Sequence, residues 1–300
     1  MKRVLRIAGI SVAILLGVVA VFYLYAESHL KAAMAKTYSV PDISISSEVS
    51  TADLALGERI VRSRTGCAEC HGADLAGHTI IDVPPFAKIS CPNLTPYALA
   101  GKSDKELALA LRHGMRNDGT SIIFMPSYEF QNFSKGDVAA IIAYLRTVPS
   151  VEKANIPIKI GPIAKMLYAL GKLPVLTPAA MINHEGGFVS KPKEGPTEEF
   201  GKYLVHSACI GCHRKTLTGG PIVGGAPDWP PASNIRFKGR AKWTKETFFK
   251  TMQTGFSAST GKGLRLPMAE AVGKFNSMEL TAIWLYLSSL EGSSLEQAET

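Results

Sequence analysis

A chain of 300 residues, 46% of them apolar, has room for an N-terminal segment and two domains of roughly 100 residues that each close a core. Its 33 Lys and Arg against 25 Asp and Glu give a formal net charge of +8, and the three basic residues before the first apolar run leave +5 for the rest. So small a basic excess argues against a nucleic-acid partner and fits only a mild preference for acidic proteins or anionic lipid.

The opening Met1-Lys2-Arg3 and Arg6 precede twenty positions without a charge, Ile7 to Ala26. A helix of about 20 apolar residues crosses a bilayer core of about 30 Å, and a positive N-terminal flank stays in the cytoplasm. Residues 1–30 therefore predict a single-pass anchor in a bacterial inner membrane, with everything after Glu27 in the periplasm. A cleaved signal peptide is the rival reading, because Ala33-Met34-Ala35 has the small-x-small form of a cleavage site. That site lies well beyond the apolar run, with Glu27, His29 and Lys31 between, so the retained anchor is preferred.

Residues 50–148 read as a first helical domain. A helix from Gly57 runs into Cys67-Ala68-Glu69-Cys70-His71. Two thiols three residues apart on one helical turn reach the two vinyl groups of a single haem while the adjacent His faces the iron, so the motif reads as c-type haem attachment. Val83-Pro84-Pro85-Phe86 is a predicted loop, and the carbonyl of Pro84 or Pro85 is expected to accept the other ring N–H of His71. Ser103-Asp104-Lys105-Glu106 is a capping box for a helix from Lys105 to His113. Met125 follows His71 by 54 residues and is the expected sixth iron ligand; Met115, His78 and His113 are alternatives. Ser134 then caps a helix from Lys135 to Thr147, with Val138, Ile141, Ile142 and Leu145 at helical spacing.

Residues 149–196 carry Pro149, Pro157, Pro162, Pro174, Pro178, Pro192 and Pro196 and read as an ordered strap that offers a docking surface to a partner.

Residues 197–295 repeat the first pattern. A helix from Gly201 reaches Cys209-Ile210-Gly211-Cys212-His213, and a Gly- and Pro-rich loop follows from Gly219 to Pro231, with Pro221 or Pro227 expected to hold the second His. Thr244 is an N-cap. Met268 lies 55 residues after His213, and Ser277 is expected to cap a helix from Met278 to Leu290; His206 is the alternative ligand. Cys67 maps to Cys209 at an offset of 142, Asn93, Ser103 and Gly114 map to Asn234, Thr244 and Gly255 at 141, and Met125 and Ser134 map to Met268 and Ser277 at 143. So long a period means a duplicated domain, not a solenoid.

A zinc ribbon needs its two Cys-x-x-Cys pairs within roughly 20 residues, and a thioredoxin-like pair leaves the two following histidines unexplained. Methionine is ordinarily core filler, and this chain has nine; the near-equal spacing singles out Met125 and Met268. A neutral thioether opposite imidazole suits an electron carrier of raised potential. Cys91 is left over and reads as a buried, inert thiol, with an intermolecular disulfide as its rival.

Pro85-Phe86, Pro92-Asn93-Leu94-Thr95-Pro96, Ala110-Leu111-Arg112-His113-Gly114 and Ala143-Tyr144-Leu145-Arg146 carry a family resemblance. Over roughly residues 50 to 295, both halves resemble class I cytochrome c domains, and the first resembles the cytochrome c subunits that serve periplasmic alcohol or sugar-acid dehydrogenases. The resemblance implies an all-α fold: two tandem class I cytochrome c domains after an N-terminal transmembrane helix. It implies two haem c groups, attached at Cys67, Cys70, Cys209 and Cys212 and ligated by His71, Met125, His213 and Met268. The implied role is a periplasmic electron relay from a dehydrogenase or quinol-oxidising partner to a downstream cytochrome or terminal oxidase. The alternative is a dihaem enzyme of peroxidase or thiosulfate dehydrogenase type, with one open or exchangeable haem. Arg112, Asn93 and Asn234 are expected to contact haem propionates. Such subunits often carry three haem domains where this chain has two, and Tyr97-Ala98-Leu99-Ala100-Gly101 replaces their usual acidic, Gly-rich continuation.

Overall fold

The computed structural model describes residues 1–300 except 65, 224, 226–228, 239–242, 258–259, 266–267 and 292–300, and except the side chains of 64, 270 and 271. Helix α1 (Lys2–Ala35) is 34 residues long and contains the uncharged run. By length and composition it is able to cross a membrane, and its most apolar window is wholly uncovered by the rest of the chain. Only Ala26 and Leu30, near its far end, are buried.

Around the first core lie α2 (Ser46–Ser50), α3 (Leu54–Arg59), α4 (Cys67–His71), α5 (Pro96–Leu99), α6 (Asp104–His113), α7 (Ser127–Phe130) and α8 (Lys135–Thr147). Asp53 caps α3, its Oδ1 accepting from the backbone of Ala55 and Leu56 at 2.9 and 3.1 Å. The continuous helix expected from Gly57 to Cys67 is instead divided: α3 widens into a π-helical turn, Ile60–Arg64, and Gly66 then adopts φ +66. A left-handed residue ends a helix, so the cysteine turn starts as a separate element. The caps at Ser103 and Ser134 lie where local sequence placed them. The Ser103–Glu106 box is closed, Ser134 Oγ accepts from Asp137 N at 3.1 Å, and Gly114 ends α6 at φ +61. Ile60, Val61, Leu109, Phe133, Ile141 and Ile142 form the centre of this core.

The fold is helix-rich but not all-α. Strands β1 (Thr79–Val83) and β2 (Ala87–Ser90) form an antiparallel hairpin whose turn is the expected Val83–Phe86 loop, and β3 (Lys159–Ile160) pairs with β2. β-branched residues in Thr79-Ile80-Ile81 favour extended backbone. The third strand arrives from the strap, so no local signal announces the sheet. Ala87 and Ile89 pack against Ala164 of α9 (Pro162–Ala169) to make a small separate cluster.

The strap folds back on the first core. The Asn93 side-chain amide donates to Val151 O and Lys153 O at 2.9 and 3.1 Å, Arg112 donates to Gly186 O and Gly187 O, and Val175, Leu176 and Ala179 are buried.

A second core gathers α10 (Glu198–Ala208), α11 (Ile210–His213), α12 (Lys245–Thr254) and α13 (Ser277–Ser289) around Phe200, Leu204, Leu217, Phe248, Leu280 and Ile283. Trp243 and Trp284 stack on Phe237 with ring centroids 4.6 and 5.8 Å away. Thr244 caps α12 as expected. The cap of α13 is Asn276 rather than Ser277: Asn276 Oδ1 accepts from Glu279 N at 2.9 Å and the Glu279 carboxylate accepts from Asn276 N, a reciprocal pair that a serine one position later does not make.

One close approach recurs in both cores. Gly57 of α3 lies on α8, where an added Cβ would collide with the Ala140 carbonyl, and Gly201 of α10 lies on α13, where it would collide with the Ala282 carbonyl. Polar contacts join the two cores: the Tyr203 hydroxyl donates to Asp137 and accepts from Ser134 N, and Arg59 pairs with Glu279, while Lys191 of the strap adds a pair to Asp137 at 3.0 Å. Asp137 and Glu279 are each only 1% exposed, so these partners compensate buried charge.

Replacing Gly57 or Gly201 with Ala should destabilise its helix crossing by about 1–3 kcal/mol, the usual range for overpacking. Denaturant unfolding of each haem-loaded variant checks this, and wild-type midpoints for both would contradict the crossing geometry.

Candidate haem-binding sites

The first site is built on a single helical turn. Gly66 sets its start and accepts from Cys70 N at 3.3 Å, so Cys67 and Cys70 stand three residues apart on one side of α4. His71 is buried to 7% exposure, with Nδ1 2.7 Å from Pro92 O. A carbonyl only accepts, so Nδ1 carries the proton; Nε2 keeps its lone pair and makes no hydrogen bond to any described residue. Burial pushes the His71 pKa below its ordinary value, with the Pro92 bond opposing, and this favours the neutral imidazole, the form able to ligate a metal.

The second site reproduces this geometry. Cys209 precedes α11 and accepts from His213 N at 2.9 Å. His213 is also 7% exposed, its Nδ1 is 2.7 Å from Ser233 O, and burial again lowers its pKa. The backbone path beyond the two histidines matches as well. Gly77 N donates to His71 O and Gly219 N to His213 O, both glycines have φ +77, and an added Cβ on either would collide with the loop that carries the accepting carbonyl. Leu75 and Leu217 have φ of +59 and +61.

The acceptors are thus Pro92 and Ser233, not Pro84, Pro85 or Pro221; Pro227 lies outside the described residues. Pro84 and Pro85 are occupied in the exposed hairpin turn. A signal for the true acceptors was present, because each immediately precedes one member of the aligned pair Asn93 and Asn234. Those asparagines shape the loop: Asn93 Oδ1 accepts from Thr95 N at 2.8 Å and Asn234 Oδ1 from Arg236 N at 2.9 Å. The propionate role expected of Asn93 and Arg112 is not what their contacts describe. Arg112 is 5% exposed, spends its guanidinium on the carbonyls of Gln131, Gly186 and Gly187, and lies 4.5 Å from the Phe188 ring.

Met125 is partly buried against the same core as Cys67, and Met268 against the same core as Cys209. Phe124 at φ +67 turns the chain into Met125, and Ser127 Oγ, bonded to Ala110 O at 2.7 Å, fastens that loop to α6. Met268 opens a 3-10 turn to Ala271, and residues 266–267 before it lie outside the described residues. Three of the alternative ligands, Met115, His113 and His206, are engaged elsewhere. Met115 is core at 2% exposure; His113 is buried with Nδ1 3.1 Å from His184 Nδ1, and burial pushes its pKa down to about 4. His206 Nε2 is 3.1 Å from the Tyr286 hydroxyl. His78 is the exception: its Nδ1 is buried and has no hydrogen-bond partner among the described residues, so its contacts assign it no other role. Cys91 is partly buried rather than enclosed, and its thiol, hydrogen-bonded to Cys70 and desolvated, is pushed well above the usual thiol pKa and so kept protonated.

The two motifs also reach across to the opposite core. Glu69 of the first pairs with Lys274, while Gly211 of the second packs directly beneath the Glu129 carboxyl of α7, where a larger residue would collide. Glu129, four residues after Met125, is pushed by burial up to about 7.

Paired cysteines on one turn, an adjacent buried imidazole with a free Nε2 lone pair, and a helical core with a thioether on its border are the donor set of a c-type cytochrome. Residues 54–149 match the family model for cytochrome c, and this segment is a cytochrome c domain. The chain is 30% identical over 254 residues to the cytochrome c subunit of alcohol dehydrogenase (quinone) from Gluconacetobacter polyoxogenes, covering 75% of this chain and 53% of that protein. It is 26% identical over 251 residues to the fructose dehydrogenase cytochrome subunit of Gluconobacter japonicus, covering 75% and 50%. It is 28% identical over 256 residues to one subunit of the nicotinate dehydrogenase of Pseudomonas putida, covering 78% of this chain and 21% of that one. The chain thus spans about half the length of the first two, both of which are named as cytochrome subunits.

Because the folded pKa of Glu129 is above the ordinary carboxylate value, the native state holds the extra proton, and stability falls as pH rises from about 4.5 to 7. The penalty is absent below that window and complete above it, at most about 3 kcal/mol. E129Q should therefore match wild type near pH 4.5 and be the more stable protein at pH 8; denaturation midpoints at the two pH values test this.

Proposed function

We propose that this chain is a dihaem electron relay of the periplasm, held to the inner membrane by residues 1–30, with cytochrome c domains at 50–148 and 197–295 joined by the strap at 149–196. The observation that carries this reading is the doubled 2.7 Å contact from a buried His Nδ1 to a loop carbonyl, each beside a cysteine turn. Cys67 and Cys70 would hold one haem, with His71 and Met125 as its iron ligands; Cys209 and Cys212 would hold the other, with His213 and Met268. Bound in this way, haem c supplies a one-electron couple whose potential a neutral thioether raises. The residues of the chain do the rest: the carbonyls of Pro92 and Ser233 fix each imidazole's tautomer and ring angle, and two apolar cores exclude water.

The cross-contacts at Glu69 and Gly211 set each attachment motif against the opposite core, which supports electron passage between the two sites. The names of the similar proteins support a dehydrogenase subunit or quinol-oxidising partner as donor. A downstream cytochrome or terminal oxidase is then the acceptor.

Haem content tests the reading. Wild type should bind two haems per chain, C67S/C70S and C209S/C212S one each, and the quadruple variant none, by pyridine haemochrome assay and intact mass. A single haem in wild type would sink the dihaem assignment.

A further inference from the structure

We infer that α9, with the adjoining β1–β2 turn, forms a second and peripheral contact with the lipid bilayer, seating the first core on the membrane surface. The inference rests on reading α1 as a membrane anchor. The uncharged run of α1 ends at Ala26, yet α9 meets α1 inside that run as well as beyond it. The Lys165 ammonium lies 5.9 Å from the centroid of the Tyr23 ring and pairs with Glu27, the Tyr168 ring is 5.6 Å from that of His29, and Ala26 is completely buried. Tyr23 is about 4–5 Å inside the end of the run at the helical rise of about 1.5 Å per residue. A helix fastened to residues 23–29 therefore lies at the boundary between hydrocarbon and water.

The side chains at that level suit the boundary. Phe22, Tyr23 and Tyr25 supply aromatic rings, and Lys165 reaches along them with its charge on Glu27. One face of α9 is spoken for: Ala164 is 1% exposed, packed on Ala87 and Ile89. Ile163 in the first turn of the helix is 40% exposed, and Leu170, the residue that caps its C-terminus, is 58% exposed. The hairpin turn lies beside this strip, because Gly161 N donates to Phe86 O at 2.8 Å, and Val83 in it is 58% exposed. Exposed Lys159 and Lys172 flank the apolar positions, the arrangement that favours an interface with anionic headgroups. Lipid is the partner because the depth of α9 is set by its attachment to α1.

The test uses the full-length, haem-loaded protein in nanodiscs of phosphatidylethanolamine and phosphatidylglycerol. A diazirine photo-crosslinking amino acid replaces Ile163, Leu170, Leu16 in α1, or Phe256, which is 58% exposed and follows α12 of the second core. Lipid adducts are read by intact mass after illumination. The inference predicts adducts at Ile163 and Leu170 roughly tenfold above Phe256, approaching the level at Leu16. Adducts at Leu16 with only the Phe256 level at Ile163 and Leu170 would overturn it while leaving the anchor in place. No adducts at Leu16 would overturn the anchor reading and this inference together.

Discussion

A buried imidazole that must offer one ring nitrogen to a metal needs the other fixed, and here each Nδ1–H is fixed by a loop carbonyl 2.7 Å away. The cysteine turn determines where the ring is attached, and the carbonyl determines how it is rotated. For the carbonyl to come so close, the chain after each histidine must turn back under it, which requires a left-handed residue with no Cβ. Gly77 and Gly219 meet that need. The rest of each core holds this arrangement still. The glycine crossings at Gly57 on α8 and Gly201 on α13 bring the helices that frame each core into backbone contact, which keeps the turn from shifting against its loop.

The two cores differ in what surrounds them. The first is wrapped by the strap, carries the small sheet and meets α1; the second relies on the aromatic cluster of Phe237, Trp243, Phe248 and Trp284. Between them the contacts are polar and partly buried, with Asp137 satisfied by Tyr203 and also by Lys191 of the strap, and Glu279 by Arg59. Such networks lose heavily when one member is removed, so they favour one relative placement of the cores. Gly211, lying beneath Glu129, shows that this placement reaches the attachment motif itself.

Features set by neighbouring residues were legible in the sequence: the cysteine motifs, the Ser103–Glu106 box, the Ser134 and Thr244 caps, and the helix from Lys135 to Thr147. Near-equal spacing singled out Met125 and Met268 in the sequence; the structure places each at the border of the core that holds its cysteine turn, which is a position and not a ligation. Features set by distant partners were not legible. The sheet needs Lys159 and Ile160 from the strap, the break before Cys67 turns on the conformation of Gly66, and the Pro92 and Ser233 carbonyls are chosen by how a loop folds over a ring. Arg112 looked like an anion-binding residue, since charge beside an apolar helix suggests a ligand. Its bonds go instead to strap carbonyls that sequence proximity could not reveal.

The central claim is that both irons are held by His and Met and serve only to pass electrons. It is tested most directly by an anaerobic redox titration of the full-length protein, followed in visible and near-infrared absorption, with carbon monoxide added to the reduced form. The expected result is two low-spin haems, the charge-transfer band of Met-ligated ferric iron, and no carbon monoxide binding. A high-spin haem, or one that binds carbon monoxide, would contradict the claim by leaving a coordination position open to substrate.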